Sequence, residues 1–267
     1  MIPAPTGATR LYVIVGDPIA QVRSPAGVSA AFAARGHDGL LVPVQVTPGD
    51  LPDFLSVAGR LKNLDGIVVT IPHKFACYQA CASATARAHF LRTVNLMRRR
   101  PDGGWHGDMV DGLGFVGAAR ATGIDPKGMR ALLVGAGGAG SAIALELLEA
   151  GVRELAIHDS LSERRDVLVG QLNRLGKAPV RVGSEDPAGF DFVANATPAG
   201  MKDGDPLPVD VARLVPSTYC GCVITKPEVS PFIAAARRIG CVTGTGTDMY
   251  QQHQSIMVDF LLGAEGT

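Results

Sequence analysis

The 267-residue chain is 46% apolar and 19% charged, which excludes a disordered protein and leaves room for one large or two modest domains. Lysine plus arginine equal aspartate plus glutamate at 25 each, so no basic surplus attracts nucleic acid or an anionic membrane surface. No apolar run reaches the length of a membrane helix and the opening "MIPAPTGATR" lacks the apolar core of a signal peptide, so a cytoplasmic protein without nucleic acid or membrane partners is expected.

The chain begins with the apolar strand of "RLYVIVGDPI", ending at Gly16. "SPAGVSAAFAARG" reads as a helix with Ser24 as N-cap, Pro25 at its first position and Gly36 at its end. The strand "GLLVPVQVT" and an amphipathic stretch from Asp50 to Leu61 follow. Next, "IVVTIPHKF" runs an apolar strand into Thr70, turns at Pro72 and opens a helix predicted from Lys74 to about Phe90. Read alone, Lys74 is a solvated residue of that helix's first turn, and His73 caps the turn. Two short strands around Pro101 to Gly104 make a hairpin, and Arg98, Arg99 and Arg100 read as its solvated end.

Cys77, Cys81, Cys220, Cys222 and Cys241 form an odd set without zinc-site spacing, which predicts packed, reduced thiols and no metal site. From Met129 a second strand and helix alternation begins. A domain boundary is expected between Asp111 and Lys127, and the alternation predicts an α/β protein with a largely parallel sheet.

In "VGAGGAG", Gly135, Gly137 and Gly140 fit G-x-G-x-x-G, with Gly138 between them, after a strand and at the start of a helix. The first glycine allows a tight turn, the second a close approach to pyrophosphate, and the third close packing of helix on strand. Asp159, 24 residues after Gly135 and at the end of the next strand, can accept hydrogen bonds from the adenosine ribose hydroxyls. Its carboxylate would repel a 2′-phosphate, so NAD is the first expectation. NADP stays open because Arg164 and Arg165 are close by, although taken by themselves they read as a solvated helix face.

"GDPIAQVRSP", "VVTIPHK", "TVNLM", "GDMVDG", "VGAGGAG", "NATPAGM" and "GTGTDM" occur in this order, and together they resemble the shikimate and quinate dehydrogenase family nearly end to end. The resemblance implies two domains with the active site in the cleft. One is an N-terminal mixed-sheet substrate domain, residues 1–111 with a returning helix at 245–267; the other is a Rossmann dinucleotide-binding domain, residues 112–244. It also implies that Lys74 and Asp111 are the catalytic pair and that Ser24, Thr70 and Asn95 contact substrate. Asn195, Thr197, Met201, Gly246 and Met249 are implied to line the nicotinamide side of the site. The small-molecule partner would be a cyclic hydroxy acid such as shikimate or quinate, bound by a monomer or homodimer.

Departures from the family pattern gather on the substrate side. Val22 and Val68 stand where the family has a serine and an asparagine, and Met109 and Val110 replace the polar centre of D-N-T-D. Thr225 stands for a tyrosine and His253 for a substrate glutamine, with Gln252 and Gln254 flanking it. Polar ligand groups without partners weaken binding, which predicts retained chemistry on an altered substrate. Arg23 is either a replacement carboxylate partner or an exposed loop residue. Two other functions compete: a non-catalytic dinucleotide sensor on the same fold, and another two-domain Rossmann enzyme such as a folate dehydrogenase. The presence of both Lys74 and Asp111 argues against the sensor, which has no need of a proton relay.

Overall fold

The computed structural model describes residues 4–264. The chain forms two compact units, one comprising the residues up to Val110 together with the segment from Gln254 onward, the other Asp111–His253.

The first unit contains β1 (Arg10–Gly16), α1 (Ser24–Ala34), β2 (Gly39–Gln45), α2 (Leu51–Ala58), β3 (Leu64–Val69), α3 (Lys74–Gln79), β4 (Ser83–Ala84), α4 (Ala86–Leu91), β5 (Leu96–Arg99) and β6 (Trp105–Asp108). Its sheet has the order β2-β1-β3-β5-β6-β4. β1 pairs in parallel with β2 and β3, β5 runs antiparallel to β3 and β6, and β4 pairs in parallel with β6. Tyr12, Val13, Ile14 and Val15 of β1 are all buried, as are Ile67, Val68 and Val69 of β3, because central strands covered on both faces favour unbroken apolar runs. β2 lies at the sheet edge, where Pro43 removes no essential ladder donor.

The second unit carries α5 (Asp111–Ala121), β7 (Arg130–Val134), α6 (Gly138–Glu149), β8 (Glu154–His158), α7 (Ser162–Asn173), β9 (Val180–Val182), β10 (Phe192–Asn195), β11 (Tyr219–Cys222), α8 (Pro231–Ile239) and β12 (Thr243–Gly244). The last helix, α9 (Gly246–Leu262), begins in this unit and ends in the first. The sheet is all parallel, with order β9-β8-β7-β10-β11-β12. This is the doubly wound order in which the chain reverses direction of growth between the first and fourth strands, here β7 and β10. Leu132, Val193, Cys220, Phe232 and Ile233 lie in its core. In the first unit, Met257, Val258, Phe260 and Leu261 of α9 are buried, and Arg98 donates to the Phe260 carbonyl at 2.9 Å.

Three local expectations are corrected. α1 begins at Ser24 rather than after it: the N-cap is Arg23, with no side-chain cap, and Ser24 is already helical. The helix predicted over 74–90 is two short helices. Between them Ser83 and Ala84 pair with β6, and Thr85 caps α4 by accepting the Ala88 amide. A buried carboxylate fixes this break, since Asp108 takes hydrogen bonds from Thr85 and, bidentately, from Arg87. The three arginines are not a solvated end. Arg98 lies 5.1 Å from the Phe260 ring centre and Arg99 lies 4.4 Å from that of Trp105, while Arg100 pairs with Asp102 and Ser83.

All five cysteines are free thiols, four of them buried. Burial pushes the thiols of Cys77 and Cys81 up to about 12. Such groups pack as small apolar side chains and carry little thiolate at neutral pH.

Candidate active and cofactor sites

In the second unit β7 delivers the glycine loop at the strand-order reversal. Gly135 has a φ of +103°, and a Cβ there would lie 2.9 Å from the Ala196 carbonyl carbon. A Cβ on Gly140 would collide with the Gly135 carbonyl oxygen. Packing of loop, strand and helix therefore demands both glycines. Gly137 differs: its φ is −74° and a Cβ would meet nothing within 4 Å. The fold does not require glycine there, whereas a pyrophosphate approaching the backbone does. Gly137 also supplies no side-chain cap to α6, which leaves the first helical amides, starting at Gly138, for an anion. These residues fit a dinucleotide.

Asp159, directly after β8, is 4% exposed. Its Oδ2 accepts the Ala136 amide at 2.6 Å and its Oδ1 the Leu161 amide at 2.8 Å. Arg164 of α7 adds bonds to both oxygens, at 2.8 Å to Oδ1 and 2.7 Å to Oδ2. Burial acts to raise the carboxyl pKa, but the two amides and the guanidinium outweigh it and hold the group below its usual range. Arg164 is thus an exposed helix residue tied to a buried carboxylate, whereas Arg165 pairs locally with Asp166 at 2.8 Å.

Asn195, at the end of β10, is fully buried. Its Oδ1 accepts from the amide and hydroxyl of Thr197, and its Nδ2 donates to the Ala199 carbonyl and Cys222 Sγ. The side chain therefore builds the turn after β10. Thr197 is half-buried and shares the turn, its Oγ1 also accepting the Ala199 amide at 3.2 Å. Met201 packs partly buried against the core cluster. Gly246 opens α9, where a Cβ would lie 2.5 Å from the Ile224 carbonyl oxygen, and Met249 is buried one turn further.

Also in this unit, Asp111 is the first residue of α5 and is 5% exposed. His253 of α9 is 8% exposed and lies against α5 at Gly114, where any Cβ would strike its imidazole. Residues three apart share one helix face, so the imidazole packs on the face that carries Asp111. Tyr250 meets the same ring edge-on, with ring centres 5.9 Å apart. Gln252 is exposed, so His253 is the inward residue. Thr225 is half-buried, three residues beyond β11.

In the first unit, Thr70, Lys74 and Asn95 meet at one end of the mixed sheet. The Thr70 amide donates to Val15 at 2.9 Å, the Val69 amide to the Asn95 carbonyl at 2.7 Å, and the Val94 amide to the Lys74 carbonyl at 3.1 Å. Lys74, the first residue of α3, is 8% exposed rather than solvated. Asn95 is 4% exposed and its Oδ1 accepts the Val110 amide at 3.0 Å. Ser24, at the start of α1, is also buried. Among the positions that depart from the family pattern, Val68, Met109 and Val110 are buried and Val22 is half-buried.

Two features were missed by sequence reasoning. His73 does not cap α3 with its side chain; it is 2% exposed and its Nε2 bonds the Val46 carbonyl at 2.7 Å, after β2. Asp108, held by Thr85, Arg87 and the Met109 amide, anchors the segment that leads to Asp111. Its cationic partner is 21 residues away in the chain, so no local pattern announces it.

Residues 14–97 match the model of the shikimate dehydrogenase substrate binding domain. A shikimate dehydrogenase (NADP(+)) from Rubrobacter xylanophilus is 35% identical over 251 residues, covering 92% of this chain and 88% of its own. Among solved structures, quinate dehydrogenase from Corynebacterium glutamicum in complex with NAD is 27% identical with a TM-score of 0.82, covering 96% of this chain and 94% of its own. The ligand-free 5-ketofructose reductase of Gluconobacter sp. is also 27% identical, with a TM-score of 0.81 and coverage of 96% and 93%. With aligned relatives spanning more than nine tenths of it, the chain belongs to the shikimate dehydrogenase family.

Proposed function

We propose that this chain is a nicotinamide-dependent oxidoreductase that interconverts a secondary alcohol and a ketone on a small cyclic hydroxy acid of the shikimate or quinate kind. The observation that carries the cofactor half is Gly137, a glycine that the fold leaves unexplained and that a dinucleotide requires. Gly135, Gly137, Gly138 and Gly140 would hold the pyrophosphate, and the unit that bears them is the dinucleotide domain. The bound nicotinamide supplies hydride transfer.

Lys74 carries the proton chemistry. Oxidation of a carbinol needs its hydroxyl proton removed, and reduction needs one returned, so one positioned amine serves both directions. Asp111, buried at the first turn of α5, is the second member of the catalytic pair. Ser24, Thr70, Asn95, Thr225 and His253 are the substrate contacts, with Asn95 acting through its amide donor. Thr197, Met201, Gly246 and Met249 shape the nicotinamide end. The unit bearing Lys74 binds the substrate, and the protein works in the cytoplasm as a monomer or homodimer with no nucleic acid partner.

The pocket is expected to be less polar than that of a dedicated shikimate enzyme. The buried side chains of Val68 and Val110 carry no hydrogen-bonding group, and each unpartnered polar ligand group costs about 1–3 kcal/mol. A less hydroxylated ring acid is therefore preferred. The test is the initial rate of nicotinamide reduction with shikimate, quinate and a panel of ring hydroxy acids, each with NAD and NADP. Rapid turnover of shikimate at low concentration overturns the altered preference. Absence of turnover on the whole panel, with dinucleotide binding demonstrated, overturns the enzyme reading and leaves a sensor.

A further inference from the structure

Two hydroxyls on the first turns of α9 are enclosed by the protein and make no hydrogen bond within it: the Tyr250 phenol and the Thr247 Oγ1. Both belong to the second unit, and at a spacing of three they share one helix face. That face continues to His253, whose imidazole meets the Tyr250 ring edge-on and packs on α5 at Gly114. Neighbouring polar side chains of α9 are bonded in the ordinary way. Asp248 accepts the Thr245 amide and hydroxyl at 2.8 Å each, and Gln254 Nε2 donates to the Gly27 carbonyl at 2.8 Å. An enclosed hydroxyl without a partner costs stability, and a phenylalanine would fill the space of Tyr250 without that cost. Burial also pushes the phenol up to about 12, so at neutral pH it keeps its proton and is able to donate.

We propose that Tyr250, with Thr247 beside it, is a specificity-determining contact whose hydroxyl donates to an acceptor oxygen of the bound hydroxy acid. This rests on the function proposed above and deepens it, since neither residue is among those that the family resemblance marks. The buried valines at 68 and 110 offer a ring acid no side-chain hydrogen bond, whereas the α9 face offers two hydroxyls that the fold leaves unbonded. A ligand oxygen placed there gives the phenol its partner and loses little by leaving water, because a site whose buried polar groups wait for the ligand rejects an analogue that leaves them unpaired. Selection in this chain is thereby moved from the positions of the two valines to the first turns of α9.

The test compares Tyr250→Phe and Thr247→Val, each of which removes one hydroxyl and keeps the shape of the side chain, with the unmodified full chain. Initial rates are measured at saturating cofactor with shikimate, quinate and 3-hydroxycyclohexanecarboxylate, and thermal melting without ligand. For the acid turned over best, Tyr250→Phe should raise KM about tenfold and hold kcat within about twofold, the pattern of a lost binding contact. Its KM for the cofactor should stay unchanged, and it should melt at the same temperature or higher, because the hydroxyl removed has no partner in the fold. Thr247→Val should follow in the same direction with a smaller rise in KM. A KM that moves less than about twofold in Tyr250→Phe overturns the proposal. So does a lower melting temperature, which would mean that the hydroxyl is bonded within the protein. Turnover of none of the three acids by the unmodified protein overturns the function reading, and the substrate contact with it.

Discussion

Replacing Gly137 with alanine separates the demands of the fold from those of the ligand. The new methyl meets no atom within 4 Å and the φ of −74° suits alanine. Restricting the unfolded chain stabilises by about 0.4–1 kcal/mol, whereas alanine is a poorer N-cap than glycine, with a cost of roughly the same size. Stability should therefore stay within about 0.5 kcal/mol of the starting protein. Dinucleotide binding should not. A methyl where the pyrophosphate approaches sets it back from the helix amides and weakens one or two hydrogen bonds to a charged group, each about 1.5–3 kcal/mol. Since 1.4 kcal/mol is tenfold in affinity, the dissociation constant should rise by about ten- to a hundredfold. Gly140→Ala is the control, because its methyl strikes the Gly135 carbonyl and should lower stability and binding together. Thermal melting and titration of tryptophan fluorescence, from the one tryptophan of the chain, or calorimetry give both quantities. Near-normal dinucleotide affinity in Gly137→Ala, or a loss of more than about 2 kcal/mol of stability, would refute the reasoning.

Lys74→Ala should reduce turnover by about 10²–10⁴-fold, the usual contribution of a positioned acid or base, with dinucleotide affinity unchanged; comparable loss of that affinity would contradict a proton role. Asn95→Asp keeps an acceptor for the Val110 amide but loses the Nδ2 donor, so KM for the hydroxy acid should rise while the melting temperature changes less than in Asn95→Ala. Equal melting curves for the two variants would show that the Val110 bond contributes nothing. His73→Ala strands the Val46 carbonyl and should lower stability by about 1–3 kcal/mol, read from urea midpoints, with His73→Gln recovering part of it. Because the folded carboxyl of Asp159 is held below its unfolded value, its stabilisation is complete above the ordinary carboxylate range near pH 4 and is lost as pH falls through the folded pKa. Asp159→Asn should accordingly melt lower at pH 7 and converge with the parent in acid; a constant difference down to pH 2 would contradict this linkage.

Much of the architecture was legible because it rests on short-range periodicity. Apolar runs such as "LYVIV" and "IVV" mark central strands, and glycine positions mark the turn from β7 into α6, since both follow from local backbone and burial rules. Motif order likewise marks Lys74, Asp111 and the glycine loop as candidates.

Tertiary structure decided what depends on residues far apart in sequence. Whether 74–90 is one helix or two is settled by Asp108, whose partners Thr85 and Arg87 lie 23 and 21 residues away. The triple arginine is ordered by Phe260, Trp105 and the backbone of residues 58, 59 and 64, none of which its own sequence shows. His73 reads from the sequence as a turn cap and Asn195 as a strand end, yet their side-chain bonds go to the Val46 carbonyl and into the turn at Thr197. Residue type sets what a side chain is able to donate or accept. Only folding decides which partner is already there, because a polar group that is buried must find its bond in the chain before any ligand arrives.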